Sequence, residues 1–219
     1  MPRRRKMSNG YSAILYDLDG TLTDSIPLIM ECFHLAYEEV FGYVPRTDED
    51  LMSYIGKPLI KTFSDVHDRE TADLLCNTYL RINEAKLRSN ELHFFPGIID
   101  SLRRLDEAGV RQGILTSKRR GSLMITLELN GIADLFEQIT VCEDTKEHKP
   151  DPEPMIYSAS QMKIDDMSRI LYVGDALVDY QCALASGADF ALVDWTKMDR
   201  ESFAALGSPR VIRSLDELL

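Results

Sequence analysis

Five short, largely apolar runs, at residues 11–16, 110–115, 139–142, 170–173 and 190–193, constrain this chain more than any other feature of its sequence. Runs of that length are too brief for amphipathic helices and read as strands buried on both faces. Segments of helical spacing at 98–108, 123–129, 153–162 and 179–185 alternate with the last four. Such alternation predicts a parallel sheet with right-handed crossovers, covered by helices on both faces. The expected fold class is therefore α/β, a doubly wound and mainly parallel sheet.

The first run is separated from the others by about seventy residues of different texture. Ile29, Phe33, Ala36, Tyr37 and Val40 recur at helical spacing over 25–41, and Gly42 and Pro45 stop the pattern. Residues 47–90 continue in helical style, with Asp48 as a candidate cap and a long polar helix over 69–88 carrying Leu74, Leu75, Tyr79 and Ile82. The segment contains no convincing strand, and it ends at Phe94, Phe95, Pro96 and Gly97. The simplest organisation is a catalytic core of 11–24 and 94–219, interrupted over 25–93 by an all-helical insertion. Residues 1–10, with the basic run Arg3 to Lys6, read as a disordered lead.

A net charge of -11 argues against a nucleic-acid partner, because such binding rests on neutralising phosphates with Lys and Arg. No apolar stretch approaches the roughly 18 residues that span a bilayer. Cys32, Cys76, Cys142 and Cys182 are far apart and form no Cys-x-x-Cys pair, so they read as buried thiols of a cytoplasmic protein. Nothing in the sequence demands a protein partner; a monomer or weak homodimer is expected.

Ligands of open parallel sheets bind beyond the carboxyl ends of the strands, so the residues that follow each run should converge. They are Asp17 and Asp19, then Thr116 and Ser117, then Lys149 before Pro150, and finally Gly174 and Asp175 with Asp179. Acids, hydroxyls and one lysine make a plausible pocket for a metal and a phosphate. In order and spacing these residues resemble the four motifs of the haloacid dehalogenase-like hydrolases: Asp17-Leu18-Asp19-Gly20-Thr21, Thr116, Lys149-Pro150, and Gly174-Asp175 with Asp179. The resemblance covers residues 11–219 and places the helical insertion where that family carries its cap. Residues 17–25, Ile55-Gly56 and Phe95-Pro96-Gly97 look like the corresponding stretches of phosphoglycolate phosphatases and related pyrophosphatases.

The resemblance implies a magnesium-dependent phosphatase acting on a small phosphorylated metabolite, with phosphoglycolate the best single guess. Asp17 would attack phosphorus and carry the phosphoryl group as a mixed anhydride, splitting one hard displacement into two. Asp19 would protonate the leaving oxygen and later deprotonate water. Mg2+, which prefers oxygen ligands, would be held by Asp17, Asp175 and the main-chain carbonyl of Asp19, with Asp179 outside that set holding a bound water or orienting Lys149. Thr116, Ser117 and Lys149 would hold the non-bridging phosphate oxygens. Lys57, beside Gly56 in an expected cap loop, is a candidate contact to the leaving group. Residues 23–26 and 92–97 would be the hinges of a lid.

Plainer readings exist for several of these residues. Thr116, Ser117 and Asp179 could simply cap helices, and Lys149 could be a solvated lysine. Two acids flanking Leu18 after a buried strand, however, would repel one another unless something cationic lay between them. Lys118, Arg119 and Arg120 read as solvated charges, and the four histidines share no metal-binding pattern. Rival functions within the fold are an inorganic pyrophosphatase, a sugar-phosphate phosphatase and a hexose phosphate mutase, the last disfavoured because Ile29 stands where the best-known mutases carry a histidine. A dehalogenase would lack Asp19. A regulatory protein that has lost turnover is the rival of a different class, and a nicotinamide enzyme would want a Gly-x-Gly-x-x-Gly that does not follow the first strand.

Overall fold

A computed structural model describes residues 10–219. The lead expected over 1–10 lies, apart from the exposed Gly10, outside the described residues. The strands are β1 (Ala13–Tyr16), β2 (Gln112–Leu115), β3 (Gln138–Thr140), β4 (Ile170–Gly174), β5 (Asp189–Val193) and β6 (Arg210–Ile212). They form one six-stranded sheet in the order β3-β2-β1-β4-β5-β6, parallel at every pairing. All five runs expected as strands are strands of this sheet. The sequence reading contained no counterpart of β6, a three-residue edge strand whose Arg210 and Val211 are exposed and so leave no apolar run to recognise.

The helices are α1 (Ile26–Phe41), α2 (Asp48–Met52), α3 (Leu59–Ser64), α4 (Arg69–Arg88), α5 (Ile98–Glu107), α6 (Arg120–Leu129), α7 (Glu153–Gln161), α8 (Leu177–Ser186) and α9 (Glu201–Ala204). Side chains alternate across a strand, and β1 divides its four buried residues accordingly. Ile14 and Tyr16 join Leu102 and Leu105 of α5 and Leu123 and Leu127 of α6 in one core layer. Ala13 and Leu15 join Met155 of α7 and Cys182 and Ala183 of α8 in the layer on the other face. After β3 the chain crosses to the far side of β1, so the strand order reverses beside β1 and β4, the point where a crevice opens at the carboxyl edge.

Helices α1 to α4 bury a third core among themselves. Phe33 is its centre, meeting Tyr54 and Phe63 edge-on at 5.7 and 5.8 Å and Tyr79 at 4.9 Å. Ile125 of α6 closes the cluster from the sheet side. Gly42, with φ of 76°, ends α1 in the left-handed conformation that glycine tolerates best. Helix α2 departs from expectation at its first turn: the cap is Thr47, not Asp48. The extended Thr47 accepts from the Asp50 amide through its hydroxyl at 3.1 Å, and Asp50 returns the bond to the Thr47 amide at 3.1 Å. Asp48 is instead the first helical residue and pairs with His34 at 2.8 Å.

The two connections between this helical layer and the sheet run side by side. Thr23 bridges Phe94 in antiparallel fashion, the Asp24 amide donates to the His93 carbonyl at 2.9 Å, and the Phe95 amide to the Leu22 carbonyl at 3.0 Å. Among the described residues no helix is long and apolar enough to cross a membrane.

Candidate active site

Asp17 follows the last residue of β1, and its amide is held by the Val173 carbonyl of β4 at 2.9 Å. A tight turn then carries the chain over Asp175. Gly20 is required here twice over, since its φ is +83° and a Cβ would lie 2.3 Å from Asp175 Oδ2. With no side chain in the way, the Thr21 hydroxyl donates to Asp175 Oδ1 at 2.8 Å. Trp195 Nε1 fixes the same turn by donating to the Thr21 carbonyl at 3.0 Å.

Lys149 sits among the acids with only 2% of its side chain exposed. Its Nζ donates to Asp17 Oδ1 at 3.0 Å and to Asp179 Oδ1 at 2.6 Å, and it reaches the Tyr172 hydroxyl at 3.2 Å. That hydroxyl donates onward to the Leu115 carbonyl at 2.8 Å. Asp179 is at once a helix cap and a lysine partner, because its Oδ2 accepts from the Ala176 amide at 3.1 Å.

Carboxylate oxygens of Asp17, Asp175 and Asp179 lie within 4.8 Å of one another, and all three residues are buried. Burial drives the Asp17 carboxyl up to about 7, opposed by Lys149 and reinforced by the charges of Asp179 and Asp19. Burial, then Asp179 and Asp17, likewise raise Asp175 well above the ordinary carboxylate range. For Lys149 burial disfavours the charge, but Asp17 and Asp179 outweigh it and the ammonium is held more firmly than usual. One lysine against three buried carboxylates leaves an excess of negative charge on oxygen donors alone. That donor set fits a hard divalent cation such as Mg2+, and contains no nitrogen or sulfur ligand to favour zinc. Asp179 has one oxygen bonded to Lys149 and the other to a backbone amide, whereas Asp17 and Asp175 each accept through Oδ1 and, among the described residues, keep Oδ2 without a hydrogen-bond donor.

In front of this cluster lies a cavity between sheet edge and helical layer. Asp17, Asp19, Thr116 and Ser117 line it from the sheet, Ile29, Phe33, Tyr79 and Asn83 from helices α1 and α4, and Tyr54 from the loop after α2. Thr116 and Ser117 precede α6 without capping it; the residue at the cap position is Arg119. The Ser117 hydroxyl donates to the Gly56 carbonyl at 2.9 Å, tying the loop between α2 and α3 to the end of β2. Lys57, next in that loop, is exposed at the rim of the same cavity.

The structure corrects the reading of Lys118 as a solvated charge. Only 9% of its side chain is exposed, and its Nζ straddles Asp19, 3.0 Å from Oδ1 and 3.2 Å from Oδ2. The turn after β2 directs it into the cleft, where a lysine can stay buried because Asp19 is there to pair with it. Arg119 and Arg120 are half-exposed but paired, with Glu143 at 3.1 Å and Asp144 at 2.6 Å. Sequence reading also passed over Tyr172, which looks like any apolar residue of a strand until its hydroxyl is seen under Lys149. Asn83 and Ser122 give no motif signal at all, because helices α4 and α6 bring them to the cavity from distant parts of the chain.

Comparison with known proteins agrees with the motifs. The family description "haloacid dehalogenase-like hydrolase" matches residues 14–193. The chain belongs to that family. Pyrophosphatase PpaX of Bacillus velezensis is 32% identical over 209 residues, covering 95% of this chain and 94% of that protein. A Bacteroides fragilis structure described as a haloacid dehalogenase-like hydrolase superposes with a TM-score of 0.84 at 31% identity, over 95% of this chain and all of that one. A Lactobacillus plantarum structure described as a phosphoglycolate phosphatase shares the fold, with a TM-score of 0.81 at 22% identity over 94% and 97% of the two chains. This haloacid dehalogenase-like protein is thus a hydrolytic enzyme of the phosphatase class, and its Asp17, Lys149 and Asp175 converge at the carboxyl edge of the family's all-parallel sheet.

Proposed function

We propose that the chain is a magnesium-dependent phosphomonoesterase that passes the phosphoryl group of a small metabolite through Asp17 to water. The observation that carries this reading is the contact of Lys149 with Asp17 at 3.0 Å inside a buried group of three acids, facing the cavity that Asp19 also lines. Asp17, Asp175 and the main-chain carbonyl of Asp19 would hold Mg2+. When bound, the ion supplies positive charge that lets an anionic nucleophile meet an anionic phosphate.

Each remaining role belongs to the chain itself. Lys149 orients Asp17 and favours its ionised form against the effect of burial, and with Thr116 and the Ser117 amide it would neutralise and position the non-bridging oxygens. Asp17 attacks phosphorus as the leaving oxygen departs, and Asp19 gives that oxygen its proton. Asp19 then takes a proton from the water that cleaves the acyl phosphate. Asp179 and Tyr172 orient Lys149. The helical residues 25–93 act as a cap on the catalytic residues 11–24 and 94–219, with the paired connections at 23–26 and 92–97 as hinges and Ser117–Gly56 as the latch. Lys57 at the rim meets the leaving group.

The cavity of about 80 Å³ has room for several water-sized groups at roughly 10–15 Å³ each, which favours a short leaving group over a nucleoside. Phosphoglycolate is the substrate we propose first. Pyrophosphate is the second reading, favoured by the 32% identity to pyrophosphatase PpaX over nearly the whole of both chains. The free thiols of the four cysteines suit a cytoplasmic enzyme, and it would act as a monomer or weak homodimer.

Phosphate release from a panel containing phosphoglycolate, pyrophosphate, sugar phosphates and nucleoside monophosphates tests the reading. Activity should require both magnesium and Asp17, vanishing in EDTA and in Asp17→Asn. Turnover that survives in Asp17→Asn would remove the nucleophile, and silence of the wild type on every compound would remove the phosphatase.

A further inference from the structure

Of the cations that line the cavity among the described residues, Lys118 is the most enclosed, with 9% of its side chain exposed. Lys118 enters from the turn after β2, and within hydrogen-bond reach its Nζ has the Asp19 carboxylate. A lysine so placed is expensive to desolvate unless negative charge faces it, and it stands beside the group that must protonate the leaving oxygen. Two further polar groups share this wall. Ser122, in the first turn of α6, is 2% exposed, and its Oγ has no hydrogen-bond partner. Asn83 of α4, also 2% exposed, donates only a long contact to Cys32 Sγ at 3.7 Å. Buried hydroxyls and amides are rarely left so poorly partnered. Around them the wall is apolar, formed by Ile29, Phe33, Tyr79 and Leu80.

Resting on the phosphatase reading, we propose that Lys118, with Ser122 and Asn83, forms a subsite for a second anionic group on the leaving side of the substrate. The ligand class is a phosphoryl compound whose leaving group bears a carboxylate or a phosphate within a few atoms of the scissile oxygen. Without Lys118, such a group would be pushed out of a cleft that already holds the carboxylates of Asp17 and Asp19. Lys118 places its charge between Asp19 and the incoming anion, so the leaving group is drawn towards the acid that serves it. Ser122 Oγ and the Asn83 amide supply the neutral donors that complete the anion's coordination. Lys57, exposed at the rim, and Arg119, committed to Glu143, are less able to do this.

Binding separates this inference from turnover. With magnesium present, calorimetry on Asp17→Asn should show phosphoglycolate binding about tenfold or more tighter than ethyl phosphate, which replaces the carboxylate by a methyl group. Adding Lys118→Met should abolish that preference and leave ethyl phosphate binding unchanged, whereas Lys118→Arg should retain most of it. Ser122→Ala should weaken phosphoglycolate by about threefold and leave ethyl phosphate alone, a second reading should Lys118→Met fail to give a cooperative melt. Equal affinity for the two esters in Asp17→Asn, a preference that survives Lys118→Met, or an equal loss for both esters would overturn the subsite. A wild type that hydrolyses neither ester, alongside an intact preference in Asp17→Asn, would remove the phosphatase reading and leave the subsite standing.

Discussion

Replacing Asp17 by Asn should make the metal-free protein more stable at neutral pH while destroying its activity. Asp17 titrates at about 7 in the folded chain against an ordinary 3.8, because burial and the charges of Asp179 and Asp19 outweigh Lys149. Between those two values the folded chain keeps a proton that the unfolded chain has lost. Stability therefore falls as pH rises through the window and levels off above it. At about 1.4 kcal/mol for each pH unit, the full gap corresponds to a ceiling of roughly 4 kcal/mol, and relaxation around the site should leave about 2. Asn carries no charge to bury, so the variant escapes this loss. Urea unfolding in EDTA from pH 5 to 8.5 measures both proteins. The variant's advantage should open as pH rises and level off above about pH 7. Comparing the two cancels titrations remote from Asp17, including that of His67, which burial lowers and which therefore acts in the opposite direction, while the part of the Asp175 rise that the Asp17 charge causes is lost with it and adds to the variant's advantage. Magnesium should stabilise the wild type more at pH 8 than at pH 5.5, since metal and protons compete for the same oxygens. A difference that stays flat with pH, or an Asp17→Asn protein less stable than wild type at pH 8, would refute the reasoning.

Gly20→Ala should cost about 1–3 kcal/mol and lower kcat by on the order of 100-fold, since the new Cβ can be accommodated only by moving Asp175 or the turn; thermal melts and steady-state kinetics check both. Tyr172→Phe should lose about 1–2 kcal/mol and lower kcat several-fold with KM little changed, because Lys149 loses a support and no substrate contact is removed. Ser117→Ala, which unties Gly56, should raise KM by roughly three- to tenfold with kcat within about threefold; an equal fall in kcat would place the hydroxyl in the chemistry instead.

How much of this was legible depended on whether the signal was local. Apolar runs marked five of the six strands, and helix α4 begins at Arg69 and ends at Arg88, the bounds read from its pattern. The short, polar β6 had no pattern to read. Acids at strand ends announced themselves because Asp17, Asp19 and Asp175 each follow an apolar run, and the topology brings such positions together. Lys118 was misread because a lysine at a loop-to-helix junction is most often solvated; only the distance to Asp19, ninety-nine positions away in sequence, shows otherwise. Asn83 and Ser122 reach the cavity through the packing of α4 against α6, a contact between segments remote in sequence. The Thr47 cap was missed by one residue because Thr47 and Asp48 are both good capping residues, and the choice fell to the reciprocal bond with Asp50.

Whether the phosphoryl group passes through Asp17 can be read directly. Wild-type protein mixed with excess phosphoglycolate or pyrophosphate and magnesium, quenched in acid within the first turnover, should carry one phosphoryl group by intact mass. Fragmentation should place it on Asp17, hydroxylamine should remove it, and Asp17→Asn should show none. A wild type that releases phosphate steadily while its mass never changes, or a phosphoryl group found on a different residue, would contradict the mechanism.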